Sequence, residues 1–196
     1  MPTPLPFYIR EDDPPAKREI LRAALSLFSE RGLAATSIRD IAGESGYTNP
    51  ALYRHFESKD ALALHLFETC HARVWTSLAA ALDSASGFDA KLDAYVGCWL
   101  GLRDDDPAVM NFLSDSARVL WPRAGASVRW RTVIGLVRSL VLQAPGIADG
   151  LEADAAAATV QGALSELGRM IEVGVVPGPA RAWRDRTVAL LRKALG

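Results

Sequence analysis

Residues 36–59 read TSIRDIAGESGYTNPALYRHFESK, and this stretch decides the fold. Thr36 and Ser37 offer N-caps, whose side-chain oxygens can accept a free backbone N–H, for a short helix through Ile41 and Ala42. Asp40 falls near the start of that helix, where the dipole favours an anion, and Gly46 ends it. Thr48 offers the next N-cap. Pro50 then lies in the first turn of a third helix, Asn49 to Phe56, where its missing N–H costs nothing. Ile38, Ile41, Ala42, Leu52 and Phe56 can pack both helices against a preceding one. Two short helices around a glycine turn make a helix-turn-helix pattern, which turns the third helix outward toward a DNA major groove. No carboxylate occurs from Ser45 to Phe56, which suits a face that approaches phosphates.

Upstream, Ile20, Ala24, Leu27 and Phe28 share one face of a helix that begins at about Lys17 and stops at Gly32, which suits a left-handed cap. Residues 1–15 carry five prolines and the acidic trio Glu11-Asp12-Asp13, and read as a loosely attached arm. Downstream, Ser58 caps a fourth helix with Leu62, Leu66 and Phe67 among its apolar positions. Further helices are expected over Asp89 to Arg103, Ala108 to Leu120, Ser127 to Gln143, Leu151 to Val173 and Ala182 to Leu195. Nothing alternates with a period of two for long, so the chain is all-α with about nine helices. The expected division is an arm over 1–15, a helix-turn-helix domain over 16–62, and an effector-binding and dimerisation domain over 63–196.

Composition bounds the partners. The 196 residues are 49% hydrophobic and 23% charged, ordinary values for a globular chain, which exclude wholesale disorder. The net charge is −1, and residues 1–60 hold 8 Lys/Arg against 9 Asp/Glu. Bulk charge therefore gives no support for a nucleic-acid partner, and that reading rests on local chemistry. The N-terminus lacks the pattern of a signal peptide and no apolar run is long enough to span a bilayer, so a cytoplasmic location is expected. Cys70 and Cys98 are too few for a disulfide framework, and Cys98 reads as a small core residue.

The ordered run Phe28-Ser29-Glu30-Arg31-Gly32, Thr36-Ser37-Ile38-Arg39-Asp40-Ile41-Ala42, Gly46, Leu52-Tyr53-Arg54-His55-Phe56 and Ser58-Lys59-Asp60-Ala61-Leu62 resembles the DNA-binding region of TetR-family transcriptional regulators. The likeness covers about residues 18–65; beyond them only helix count and length agree. It implies a homodimeric regulator, most simply a ligand-responsive repressor on a palindromic operator. It implies phosphate contacts from Tyr53 and His55, and backbone contacts from Lys59 and Thr36. Base reading falls to Tyr47, Thr48, Asn49, Pro50, Ala51 and Arg54. Asn49 can pair bidentately with adenine, Arg54 can reach guanine or a phosphate, and Ala51 can pack on a thymine methyl. Tyr47 replaces the small aliphatic residue common in the family, so an inward and a DNA-facing position are both open. Phe56 reads as core. The alternative is a helical small-molecule-binding or interaction protein whose helix-turn-helix no longer functions.

In the effector half, the resemblance implies a cavity for an unidentified small molecule, with Tyr95, Trp99, Phe112, Trp121, Trp130 and Leu164 as candidate lining. Aromatics at helical spacing are more often core than pocket, and an aromatic lining would suit an apolar or planar ligand. Arg118, Arg123, Arg129, Arg131 and Arg138 read as solvated or paired, with one turned inward a candidate for an anionic group. Small residues on the eighth helix and an apolar stripe on the last (Trp183, Thr187, Leu190, Leu191, Ala194, Leu195) suit either a four-helix contact between two copies or packing within one. No cofactor, metal or catalytic motif is indicated: the three histidines are scattered, and Asp104-Asp105-Asp106 reads as a solvated helix end. The expectation is a protein that is not an enzyme.

Overall fold

A computed structural model describes residues 6–196. Among these the chain forms ten α-helices and two 3-10 turns, with no strand. They group into two compact units: the chain up to Arg73 with Ala108–Trp130, and Val74–Pro107 with Arg131–Gly196. No helix of the described residues is long and apolar enough to cross a membrane.

The first unit holds α1 (Pro15–Arg31), α2 (Ile38–Ser45), α3 (Asn49–His55), the opening turns of α4 (Lys59–Asp83), α6 (Pro107–Leu120), a 3-10 turn (Trp121–Arg123) and α7 (Ala126–Arg129). α1 buries the face its spacing marks, with Ile20, Ala24, Leu27 and Phe28 almost fully enclosed. Those side chains form a core with Ile41 and Ala42 of α2 and Leu52 of α3, and Leu62, Leu66 and Phe67 of α4 are buried in the same unit. Phe112 of α6 completes it, stacked on Phe28 with ring centroids 5.7 Å apart and edge-on to Phe67 at 6.4 Å. Asp60 and Glu68 of α4 hold the segment after α6, through Arg123 at 2.8 Å and the Gly125 N–H at 2.6 Å.

The second unit holds the rest of α4, α5 (Phe88–Asp105), α8 (Val133–Val141), α9 (Leu151–Glu172), a 3-10 turn (Ala180–Trp183) and α10 (Arg184–Leu195). α9 buries Ala153, Ala157, Val160, Leu164 and Gly168, the period of one helix face. Its outer face carries Ala155, Ala158, Thr159, Gly162 and Ala163. α10 pairs with α5 through Arg184 on Asp93 and Arg192 on Asp89.

Four expectations are corrected. The helix expected over Ser127 to Gln143 is two, because Thr132 caps a new start, its hydroxyl accepting the Gly135 N–H at 2.9 Å. The last helix is likewise preceded by a separate 3-10 turn. Asp104 is no solvated helix end: it accepts the N–H groups of Ala180 and Arg181 at 2.6 and 2.9 Å and pairs with the Arg181 guanidinium. The arm is tied down where it is described, residues 1–5 lying outside the described residues. Ile9 is buried, and the buried Asp13 carboxylate accepts the Arg10 N–H at 2.9 Å and the Lys17 ammonium at 2.6 Å. Prolines restrict the unfolded chain, so ordering a proline-rich segment costs less entropy than its composition suggests.

Two histidines make stability pH-dependent. Burial pushes His71 below the usual imidazole range; it also lowers His65, with Lys17 adding to the effect. The His71 Nδ1 is buried without a hydrogen-bond partner, its ring beside Phe67 and Trp121. A depressed folded-state value means the unfolded chain binds protons first, so stability is full above about pH 6.5 and falls as pH drops below it. The melting temperature should therefore decrease from pH 7.5 to pH 5.5, and His71→Phe should flatten that decrease. Equal slopes for the two proteins would contradict the assignment to His71.

Candidate nucleic-acid interface

The helix-turn-helix is held by local hydrogen bonds at each joint. Ser37 is the N-cap of α2: its hydroxyl oxygen accepts the Asp40 N–H at 3.2 Å, and the Asp40 carboxylate accepts the Ser37 N–H at 2.7 Å. This reciprocal pair satisfies two otherwise free donors. The Ser37 hydrogen bonds also hold the Asp40 carboxyl below its usual range. Gly46 has φ 72° and ψ 16°, and the Gly46 and Tyr47 N–H groups return to Gly43 and Ala42 at 3.3 and 3.1 Å. That double closure needs a left-handed residue, which only glycine adopts without cost. It sets where the chain turns into α3.

α3 starts differently from the expectation. The Thr48 carbonyl accepts the N–H groups of Ala51 and Leu52 at 2.9 and 3.2 Å, while its side chain makes no capping bond. An exposed hydroxyl is left at the N-terminal end of α3. Leu52 points into the core, and Tyr53, 54% exposed, points away from it beside exposed Arg54. Arg54 and His55 occupy the last turn, where the dipole favours cations. Phe56 is half-buried against His65, ring centroids 5.5 Å apart.

Of the ten residues predicted to meet DNA, Thr48, Pro50, Tyr53 and Arg54 are exposed, and Tyr47, Asn49, Ala51 and His55 are half-buried on the same continuous turn and helix. Thr36 and Lys59 are drawn inward. Thr36 is 1% exposed and donates its hydroxyl to the Gly32 carbonyl at 2.9 Å. The Lys59 ammonium donates to the carbonyls of Leu33 and Thr36, both at 2.8 Å.

The six residues predicted to line an effector cavity fall in both units. Tyr95 is fully buried and donates its hydroxyl to Gln161 at 2.7 Å, with burial pushing its phenol far up. Trp99 packs where α9 presents Gly168, so closely that a Cβ there would lie 3.0 Å from the indole. Leu164 is buried on the same α9 face. Phe112 and Trp121 instead belong to the first unit, with Phe67 and His71. Trp130 is 87% exposed. The inward arginine is not among the five expected. Arg123 and Arg138 are ion-paired, Arg131 lies over Trp75, and Arg118 and Arg129 are exposed. Arg103 is buried instead, donating to Glu172 at 2.6 Å and to the Gly168 carbonyl at 3.2 Å. Its position, eight residues after Tyr95 and four after Trp99 on one helix face, was the available signal. Cys98 is half-buried, and burial raises its thiol.

The sequence profile described as "Bacterial regulatory proteins, tetR family" matches residues 20–66. The HTH-type transcriptional repressor KstR2 of Rhodococcus jostii (strain RHA1) is 48% identical over 46 residues, 24% of this chain and 22% of its own length. The HTH-type transcriptional repressor Rv3405c of Mycobacterium tuberculosis (strain H37Rv) is 58% identical over 43 residues, 22% of this chain and 23% of its own. The aligned stretch thus spans less than a quarter of these curated relatives. The fold agrees over far more. A tetR-family regulatory protein from Rhodococcus RHA1 superposes with a TM-score of 0.79 at 21% identity, over 94% of this chain and 98% of that one. The transcriptional regulator FadR of Bacillus subtilis, solved with stearoyl-CoA, gives 0.68 at 15% identity, over 89% and 97%. Residues 20–66, which take in the whole helix-turn-helix, thus match the tetR family of bacterial regulatory proteins, and the fold around them is shared with solved tetR-family structures.

Proposed function

We propose that the protein is a cytoplasmic, sequence-specific DNA-binding transcriptional regulator, a ligand-responsive repressor that binds a palindromic operator as a homodimer. The observation that carries this reading is α3: free of carboxylates, anchored by Leu52, with Tyr53 and Arg54 facing solvent. Such a face can place its N-terminal residues at base edges and its flanks on phosphates.

Dimerisation is supported by the outer faces of α9 and α10. Leu190 is 70% exposed, and it borders an apolar hollow lined by Ala163, Leu167, Trp183, Thr187 and Leu191. Small residues on α9 beside an uncovered leucine on α10 suit a self-complementary helix contact. An effector is supported by the neighbour that holds stearoyl-CoA. Its binding would favour a dimer whose two heads no longer match the half-sites, shifting the population away from DNA.

Duplexes enriched by the protein from a random-sequence pool test the reading. Tyr53→Phe should weaken binding to every enriched sequence. Asn49→Ala should change which sequences are enriched, because one bidentate pair discriminates by about 1–3 kcal/mol. An unaltered preference in Asn49→Ala would remove that residue from base reading.

A further inference from the structure

Thr36 and Lys59 are the two predicted DNA contacts whose polar atoms are already engaged within the protein. A lysine at the first position of α4 stands at the positive end of that helix, an unfavourable place for a cation. Its ammonium is compensated by two main-chain carbonyls, Leu33 and Thr36, 26 and 23 residues earlier. The Thr36 hydroxyl, almost wholly enclosed, turns back to the Gly32 carbonyl and more distantly to Leu27 at 3.3 Å. These carbonyls lie at the C-terminal end of α1 and just beyond it, where helical partners run out. Both side chains therefore close the α1–α2 connection onto the start of α4. The closed loop ends at Ser37, the cap of α2, and α2 leads through the Gly46 turn into α3.

We propose that Lys59 and Thr36 are positioning residues for DNA recognition, a lock on the α1–α2 loop that fixes the angle of the recognition helix, and that neither touches a phosphate. The inference rests on the DNA-binding reading above and refines it. The Lys59 ammonium is held at two carbonyls 2.8 Å away, and the Thr36 hydroxyl has no exposed path to DNA.

The test uses the full chain and a duplex enriched from random-sequence DNA by the wild-type protein. Affinity is measured from 50 to 200 mM salt, at a temperature where circular dichroism shows every variant folded. Lys59→Met and Thr36→Val should each weaken binding about tenfold for every sequence tried, as loss of a buried or charged hydrogen bond does. The slope of log affinity against log salt should stay at its wild-type value, since no phosphate contact is removed. The double variant should bind no worse than the weaker single one, because both break one lock. Thr36→Ser, which keeps the hydroxyl, should bind like the wild type, and the Thr36 pair decides the matter if Lys59→Met fails to fold. A slope reduced by about one per head in Lys59→Met, with Thr36→Val unchanged, would make Lys59 a phosphate contact and overturn the lock. Unchanged affinity in both single variants would overturn it too. Failure of the wild type itself to enrich any sequence would overturn the DNA-binding reading, and the lock with it.

Discussion

Arg54→Glu should lower DNA affinity by roughly a thousandfold or more while moving the melting temperature by no more than about 4 °C. Arg54 is exposed in the last turn of α3, within a stretch from Ser45 to Phe56 that contains no carboxylate. Glutamate there removes a cation and sets an anion against the phosphates, and like charges brought together at an interface cost several kcal/mol. A dimer carries the change in both heads, and each 1.4 kcal/mol or so is a factor of ten. Stability should change little, since the side chain is solvated and the penalty at the negative end of a short helix is about 0.3–1 kcal/mol. Arg54→Gln separates the effects: it should reduce the salt slope by about one per head without the added repulsion. Binding isotherms with an enriched duplex, beside thermal melts, check both. Undiminished binding in Arg54→Glu would mean that α3 does not face DNA.

Phe112→Ala should lower the melting temperature by on the order of 10 °C. The ring is fully buried, stacked on Phe28 and edge-on to Phe67. Truncating a buried phenylalanine costs about 3–5 kcal/mol, from the lost burial and the cavity left behind. A chain of this size loses roughly 2–4 °C for each kcal/mol. The result separates two readings of the aromatic residues: a ring lining an open cavity contributes little to stability when removed, while a ring joining α1, α4 and α6 contributes much. Trp130→Ala is the contrast, expected to shift stability by less than about 0.5 kcal/mol because its indole is almost entirely exposed. A calorimetric melt of Phe112→Ala within 2 °C of the wild type would contradict the packing role.

The helix-turn-helix was legible because its determinants are local. A serine three residues before an aspartate closes a cap, and a glycine that must turn left ends α2; both act within a few residues of chain. The same locality made α9 readable to within a residue of its end. What escaped was set by partners distant in sequence. Nothing near Lys59 announces the carbonyls of Leu33 and Thr36, and nothing near Asp104 announces the N–H groups of Ala180 and Arg181. Tyr95 and Trp99, four residues apart, both face inward, but an inward aromatic has the same spacing whether it meets a ligand or another helix. Here Tyr95 meets Gln161 and Trp99 meets Gly168. The Thr132 cap and Gly135 beyond it were a local signal.

With a net charge of −1, affinity for arbitrary DNA should be modest, and recognition should depend on two heads engaging together. The most direct measurement is therefore fluorescence anisotropy of the wild-type protein on an enriched palindromic duplex, on the same duplex with one half-site scrambled, and on random DNA, across a salt series. Two-headed recognition predicts tight, salt-sensitive binding to the intact palindrome, much weaker binding once one half-site is lost, and little on random DNA. Equal binding to all three duplexes, or none to any, would contradict it.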